Sequence, residues 1–142
     1  MSEVDFNTRI IEEFRSNGGR VGGPFEGAPM VLLHHVGRRT GTERVNPLVT
    51  LPLERGWAVF ASKAGAPTSP DWYHNLMAHP RTTLEIGTES HEVIAREASG
   101  EERDRIYARQ KQVMPGFAEY ETKAAEAGRV IPVVVLEPAG AG

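Results

Sequence analysis

The sequence predicts a mainly β, α+β domain: a small β-barrel of about six strands with peripheral helices. Three observations predict it. Short runs of strand length, either alternating or wholly apolar, recur along the chain. In the first two thirds only one helical stretch, residues 70 to 78, separates strands, so parallel βαβ winding lacks its crossovers. No repeat, low-complexity tract or linker divides the order. A chain of 142 residues with 39% hydrophobic side chains buries one adequate core, so residues 1 to 142 read as a single domain.

The elements follow in order. Phe6, Ile10, Ile11 and Phe14 recur at helical spacing, which makes residues 1 to 20 an N-terminal helix with a flexible lead-in. Five glycines and two prolines between Asn17 and Pro29 make that stretch a loop. MVLLHHVG is a buried strand. RVNPLVTLPL, the turn Glu54-Arg55-Gly56 and WAVFAS form a hairpin, in which Pro47 and Pro52 require an edge or a bulge. Ser69-Pro70-Asp71 supplies a hydroxyl cap, a proline at the first helical position and an early acid, opening a helix that His79-Pro80 stops. RTTLEIG and SHEVIAREA are two strands joined by a Gly turn. A charged helix runs from Ser99 through Lys111, another follows Pro115, and VIPVVVLEP is apolar enough for the middle of a sheet.

Composition removes several functions. The chain has no cysteine, which excludes disulfides, thiolate nucleophiles, iron–sulfur clusters and thiolate zinc sites and leaves redox chemistry to a bound cofactor. The N-terminus carries scattered acids and no apolar h-region, so it reads as neither signal peptide nor membrane span, and the expected location is cytoplasmic. The stripe on the first helix packs on the domain or, as the alternative, makes a peripheral membrane contact. A net charge of -3 argues against a nucleic-acid partner. Yet Arg38, Arg39, Arg44, Arg55 and Lys63 face only Glu43 and Glu54 in their segment, a local +3 in a chain whose remainder is -6. That is an anion site. Nothing in the sequence sets the oligomeric state.

Three motifs carry chemistry. In Gly37-Arg38-Arg39-Thr40-Gly41-Thr42-Glu43-Arg44, glycines bracket guanidiniums and hydroxyls between two strands, a phosphate-binding composition that a solvated β-turn shares. It lacks the spacing of a P-loop and no helix follows it. Ala61-Ser62-Lys63-Ala64-Gly65 leaves a strand with a hydroxyl, an ammonium and a flexible glycine, a second place for an anion or ring contact; Ser62 lacks the frame of a nucleophile elbow. Asp71-Trp72-Tyr73-His74-Asn75 puts two aromatics and three polar groups into the start of a helix. His74 and His79 are five apart and share no helical face, so no metal is expected.

Taken together, HHVGRRTGTERVNPL, VFASKAGAPTSPDWYHNLMAHP and RVIPVVVLEP resemble the deazaflavin (coenzyme F420)-dependent nitroreductase and quinone reductase family in residues and in spacing, over residues 25 to 138. The resemblance implies that family's split β-barrel, the FMN-binding-like fold of flavin reductases. It also implies a cofactor, reduced F420, whose ribityl phosphate and glutamate tail are strongly anionic. Matched positions assign cofactor contacts to Arg38, Arg39, Thr40, Arg44, Val45, Asn46, Pro47 and Leu48, to Phe60, Ala61, Ser62 and Lys63, to Asp71, Trp72, Tyr73, His74 and Asn75, and to Phe117. The implied activity is hydride transfer from the deazaflavin to an organic acceptor, a quinone or nitro compound. Met114, Phe117 and Tyr120 would bind the acceptor, and Tyr120, Ser62 or water would serve as proton donor. Where relatives that reduce bulky nitro compounds carry several tyrosines, this chain has Met114, Phe117 and Tyr120 alone. Two rivals are an FMN-dependent oxidase or reductase on the same fold and a protein that binds F420 without turnover.

Overall fold

A computed structural model describes residues 3 to 139. Its elements are α1 (Glu3–Ser16), β1 (Met30–Val36), β2 (Glu43–Leu53), β3 (Gly56–Phe60), α2 (Asp71–Ala78), β4 (Arg81–Ile86), β5 (Glu89–Glu97), α3 (Gly100–Val113), α4 (Gly116–Glu126) and β6 (Val133–Pro138). The six strands close into a barrel in the order β1-β2-β3-β6-β5-β4, and every pairing is antiparallel.

The strands that read as wholly apolar are so because both their faces are covered. Val31 and Leu33 of β1 and Val134 and Leu136 of β6 point into the barrel with Val59, Leu84 and Val93. The alternate residues point outward into satellite cores. Met30 and Leu32 lie with Ile10, Phe14 and Val21 near α1. Val133 and Val135 meet Ile106, Tyr107, Phe117 and Ala124 of α3 and α4. Alternation thus survives in where side chains point while vanishing from their polarity.

β2 changes partner along its length. It pairs with β1 through residues 43 to 49 and with β3 through residues 50 to 53, so Pro47 and Pro52 each have a strand on one side only. This is the edge that a residue without an N–H needs. α1 buries Ile10 and Phe14 against the barrel, leaving Phe6 41% exposed, and Arg15 ties it to Glu85 of β4 through two bonds of 2.7 and 3.1 Å. Ile10 and Phe14 of the apolar stripe thus pack on the domain with Val21, Met30 and Leu32. Among the described residues no helix is long and apolar enough to cross a membrane, and no group of three or more His, Cys, Asp or Glu could hold a metal.

One local expectation fails. Ser69 does not cap α2: the helix begins at Asp71 with Pro70 before it and has no side-chain cap bond. The Ser69 hydroxyl instead accepts a bond from Arg129 at 3.1 Å, because that guanidinium already grips the loop before the helix.

Candidate active site

Two clefts of different chemistry meet along β2 and α2. The first, about 230 Å3, is lined by Gly37, Arg38, Arg39, Thr40, Arg44, Asp71 and Asn75. The chain reverses between β1 and β2 through a loop in which Gly37 accepts from Gly41 and donates to Thr42 at 2.8 and 2.9 Å. Gly41 takes the left-handed φ of 72° that the turn requires. A Cβ at Gly37 would lie 2.5 Å from the Thr40 hydroxyl, so a larger residue there would displace that hydroxyl from the loop. The loop's three arginines are exposed, and none forms an ion pair among the described residues. Unpaired guanidiniums around a concave polar surface attract an anion with several oxygens.

The second cleft, about 520 Å3, has Asn46, Pro47, Leu48 and Val49 of β2, Phe60, Ser62 and Lys63, Pro70 and Trp72, and Met114, Phe117 and Tyr120 along its walls, with Asn7, Phe25, Met30 and Ala64 completing it. It is largely apolar and aromatic. Phe117 packs edge-on against Phe60 at 5.5 Å and Tyr120 at 5.1 Å, while the buried Tyr107 hydroxyl donates to the Phe117 carbonyl at 2.7 Å. Burial pushes the Tyr107 phenol well above its ordinary range, keeping it neutral as that donor. The volume and the few convergent polar groups are those of a small-molecule site.

The loop carrying Ser62 and Lys63 is strained and clamped. Lys63 and Ala64 both adopt left-handed backbone, φ 47° and 53°, which costs residues with a Cβ energy that surrounding contacts must offset. Arg129 supplies those contacts. Its guanidinium donates to the carbonyls of Ala61, Ser62 and Ala66 at 2.9, 2.6 and 2.8 Å, besides Ser69. Gly65, φ 80°, completes the turn against α4, where a Cβ would sit 2.8 Å from the Tyr120 carbonyl. Sequence reading missed Arg129 because its partners are backbone carbonyls, which leave no mark on residue identity.

Four matched residues do not turn their side chains to either cleft. Val45 packs in the cluster of Ile10 and Phe14, beyond the stretch of β2 that lines the cleft. Ala61 is fully buried in the barrel core. Its N–H and carbonyl are held by Pro132 and Arg129. Tyr73 bonds to Glu97, and burial together with that carboxylate pushes its phenol up to about 12. His74 is exposed and meets the Tyr73 ring edge-on at 5.2 Å. Helical geometry explains the last two: Trp72 and Asn75 share the buried face of α2, and their neighbours turn away from it.

Comparison with known proteins decides the family. The model of the F420H(2)-dependent quinone reductases matches residues 7 to 138. The chain belongs to this family. An F420H(2)-dependent quinone reductase of Mycobacterium tuberculosis is 35% identical over 126 residues, covering 87% of this chain and 83% of that protein. An F420-H2 dependent reductase superposes with a TM-score of 0.69 and 35% identity, over 77% of this chain and 94% of its own. A domain-swapped dimer matches at TM-score 0.71 and 32% identity, covering 96% and 100%. The barrel is therefore the split, FMN-binding-like barrel, and this F420H(2)-dependent reductase is an oxidoreductase whose hydride donor is reduced coenzyme F420.

Proposed function

We propose that the two clefts form one F420 site, with the deazaflavin in the aromatic cleft and the anionic tail in the arginine pocket, and that the acceptor is a flat quinone. One observation carries this reading: an apolar, aromatic-walled cleft adjoins a pocket of unpaired guanidiniums, and β2 and α2 contribute to both. Arg44 faces the pocket while Asn46 to Leu48 face the cleft; Asp71 and Asn75 face the pocket while Trp72 faces the cleft. A planar ring joined to a phosphate and carboxylates fits that pair of surfaces.

Reduced F420 supplies a hydride when bound. The protein's own work is positioning, exclusion of water and polar stabilisation. Leu48, Phe60, Trp72 and Phe117 form apolar walls. Lys63, on its clamped loop, brings an exposed ammonium to the cleft. Ser62 and Tyr120 bring the hydroxyls able to donate toward a developing charge on an acceptor oxygen or to pass it a proton. Met114 and Phe117 offer surfaces without hydrogen-bonding hydrogens, which suits a hydrophobic quinone better than a bulky nitro compound.

Calorimetric titration of the apo protein with F420 and FMN, followed by steady-state oxidation of reduced F420 by menadione and by a bulky nitroaromatic, tests the proposal. Tight binding of F420 alone and faster turnover with menadione are expected. Equal or tighter binding of FMN, or binding of F420 without turnover, refutes it.

A further inference from the structure

His35 lines neither cleft, yet it joins their walls. It is 2% exposed on β1. Its Nε2 lies 2.7 Å from Asn46 Oδ1, and its Nδ1 lies 3.0 Å from Asn75 Nδ2. At the far end, the backbone N–H of Arg38 donates to Asn75 Oδ1 at 3.0 Å. A backbone N–H can only donate, and this fixes every other direction in the chain. Asn75 must accept from Arg38 through its oxygen, so it turns its NH2 toward His35. The imidazole must accept that NH2 at Nδ1, so its proton resides on Nε2 and is donated to Asn46. With its oxygen so engaged, the Asn46 amide has its two N–H groups left for the aromatic cleft.

We propose that His35 is a positioning residue: as the neutral Nε2–H tautomer it orients the Asn46 amide as a hydrogen-bond donor to the deazaflavin ring and ties that orientation to the Arg38 anion loop. The inference rests on the reading of the two clefts as one F420 site. It makes a single proton govern both ends. A protonated ring would present N–H at Nδ1 to the Asn75 NH2, donor against donor. If Asn75 turned over to accept it, the same clash would appear at the Arg38 N–H. The groups around the ring set when this happens. Burial dominates and, with Arg44 on β2 and His34 on the same strand, disfavours the charge, while the Asn46 bond and Asp71 on α2 favour it; the outcome lies below the ordinary imidazole range. The ring is therefore neutral at neutral pH and the chain intact.

The test has two parts. Nitrogen-15 NMR of the His35 ring in the ligand-free protein should show the Nε2–H tautomer at neutral pH and protonation only in acid. In Asn46→Asp, which faces Nε2–H with a carboxylate, the ring should protonate at higher pH. An Nδ1–H tautomer, or a ring already charged at neutral pH, overturns the proposal. Calorimetry with F420 across the mildly acidic to neutral range then compares wild type with His35→Gln, the fold of each checked by circular dichroism. Wild type should bind about tenfold more tightly at neutral pH, the worth of one such hydrogen bond. The ratio should close as His35 protonates, and because the ligand's own titration is common to both proteins it cancels. A ratio independent of pH overturns the role of His35 alone. Wild-type protein that binds no F420 at any pH overturns the reading of the clefts together with it.

Discussion

Removing the guanidinium in Arg129→Ala should loosen the site from outside it. Arg129 holds three backbone carbonyls and one hydroxyl at 2.6 to 3.1 Å, and its own surroundings are half-buried. Each bond is worth about 1 kcal/mol net where water can partly replace it. The loss should therefore total about 2 to 4 kcal/mol, a fall in melting temperature of roughly 5 to 15 °C for a domain of this size. The left-handed conformations of Lys63 and Ala64 would lose their clamp, so F420 affinity should fall as well, by about tenfold or more. Arg129→Lys should recover little, because an ammonium cannot fork to acceptors spread over residues 61 to 69. A companion change isolates the strain: Ala64→Gly should be neutral or stabilising by up to about 1 kcal/mol, since glycine adopts φ 53° freely but loses more entropy on folding. Thermal melts and F420 titrations of the three variants provide the measurement. An Arg129→Ala protein with wild-type melting temperature and wild-type F420 affinity would refute the clamp.

Two other outcomes follow from the geometry. Arg15 holds the Glu85 carboxyl below the usual carboxylate range through its hydrogen bond, with His34 adding to the effect. A depressed folded pKa gives stability that is full above the unfolded value and lost as pH falls through the folded one. Arg15→Ala should thus cost about 0.2 to 1 kcal/mol in denaturant melts at neutral pH and nothing once Glu85 is protonated; an equal cost at both pH values excludes the ion pair as its source. Phe117→Ala should lower the catalytic efficiency with menadione more than it lowers F420 affinity, because the ring is proposed to wall the cleft where the acceptor binds; intact menadione reduction would place the acceptor elsewhere.

The fold was legible where chemistry leaves a mark on residue type. Pro47 and Pro52 announced that β2 lacks a partner on one side, and a barrel in which β2 passes from β1 to β3 supplies that condition without an open sheet edge. The apolar runs of β1 and β6 announced strands covered on both faces. Ser69 misled because a hydroxyl before Pro-Asp is equally suited to receive a guanidinium arriving from residue 129, and sequence order says nothing of that approach.

The candidate site is legible in the same sense and to the same limit. Side chains that differ chemically from their surroundings, the arginines of the 37 to 44 loop and the aromatics Trp72 and Phe117, lie on the two clefts. Within the matched helical run, Trp72 and Asn75 share the buried face of α2 while the side chains of Tyr73 and His74 lie off the two clefts, a distinction that a contiguous match does not carry. What remained invisible is the layer that sets orientation. Arg129 acts on carbonyls, Tyr107 on the carbonyl of Phe117, and His35 on two amides. Each of these three would have been an equally ordinary residue had its partner been water. Their meaning depends on burial and on direction of donation, which arise only once β1, β2 and α2 are brought together. The directionality of one backbone N–H, at Arg38, then determines the amide orientations from the anion loop to the aromatic cleft.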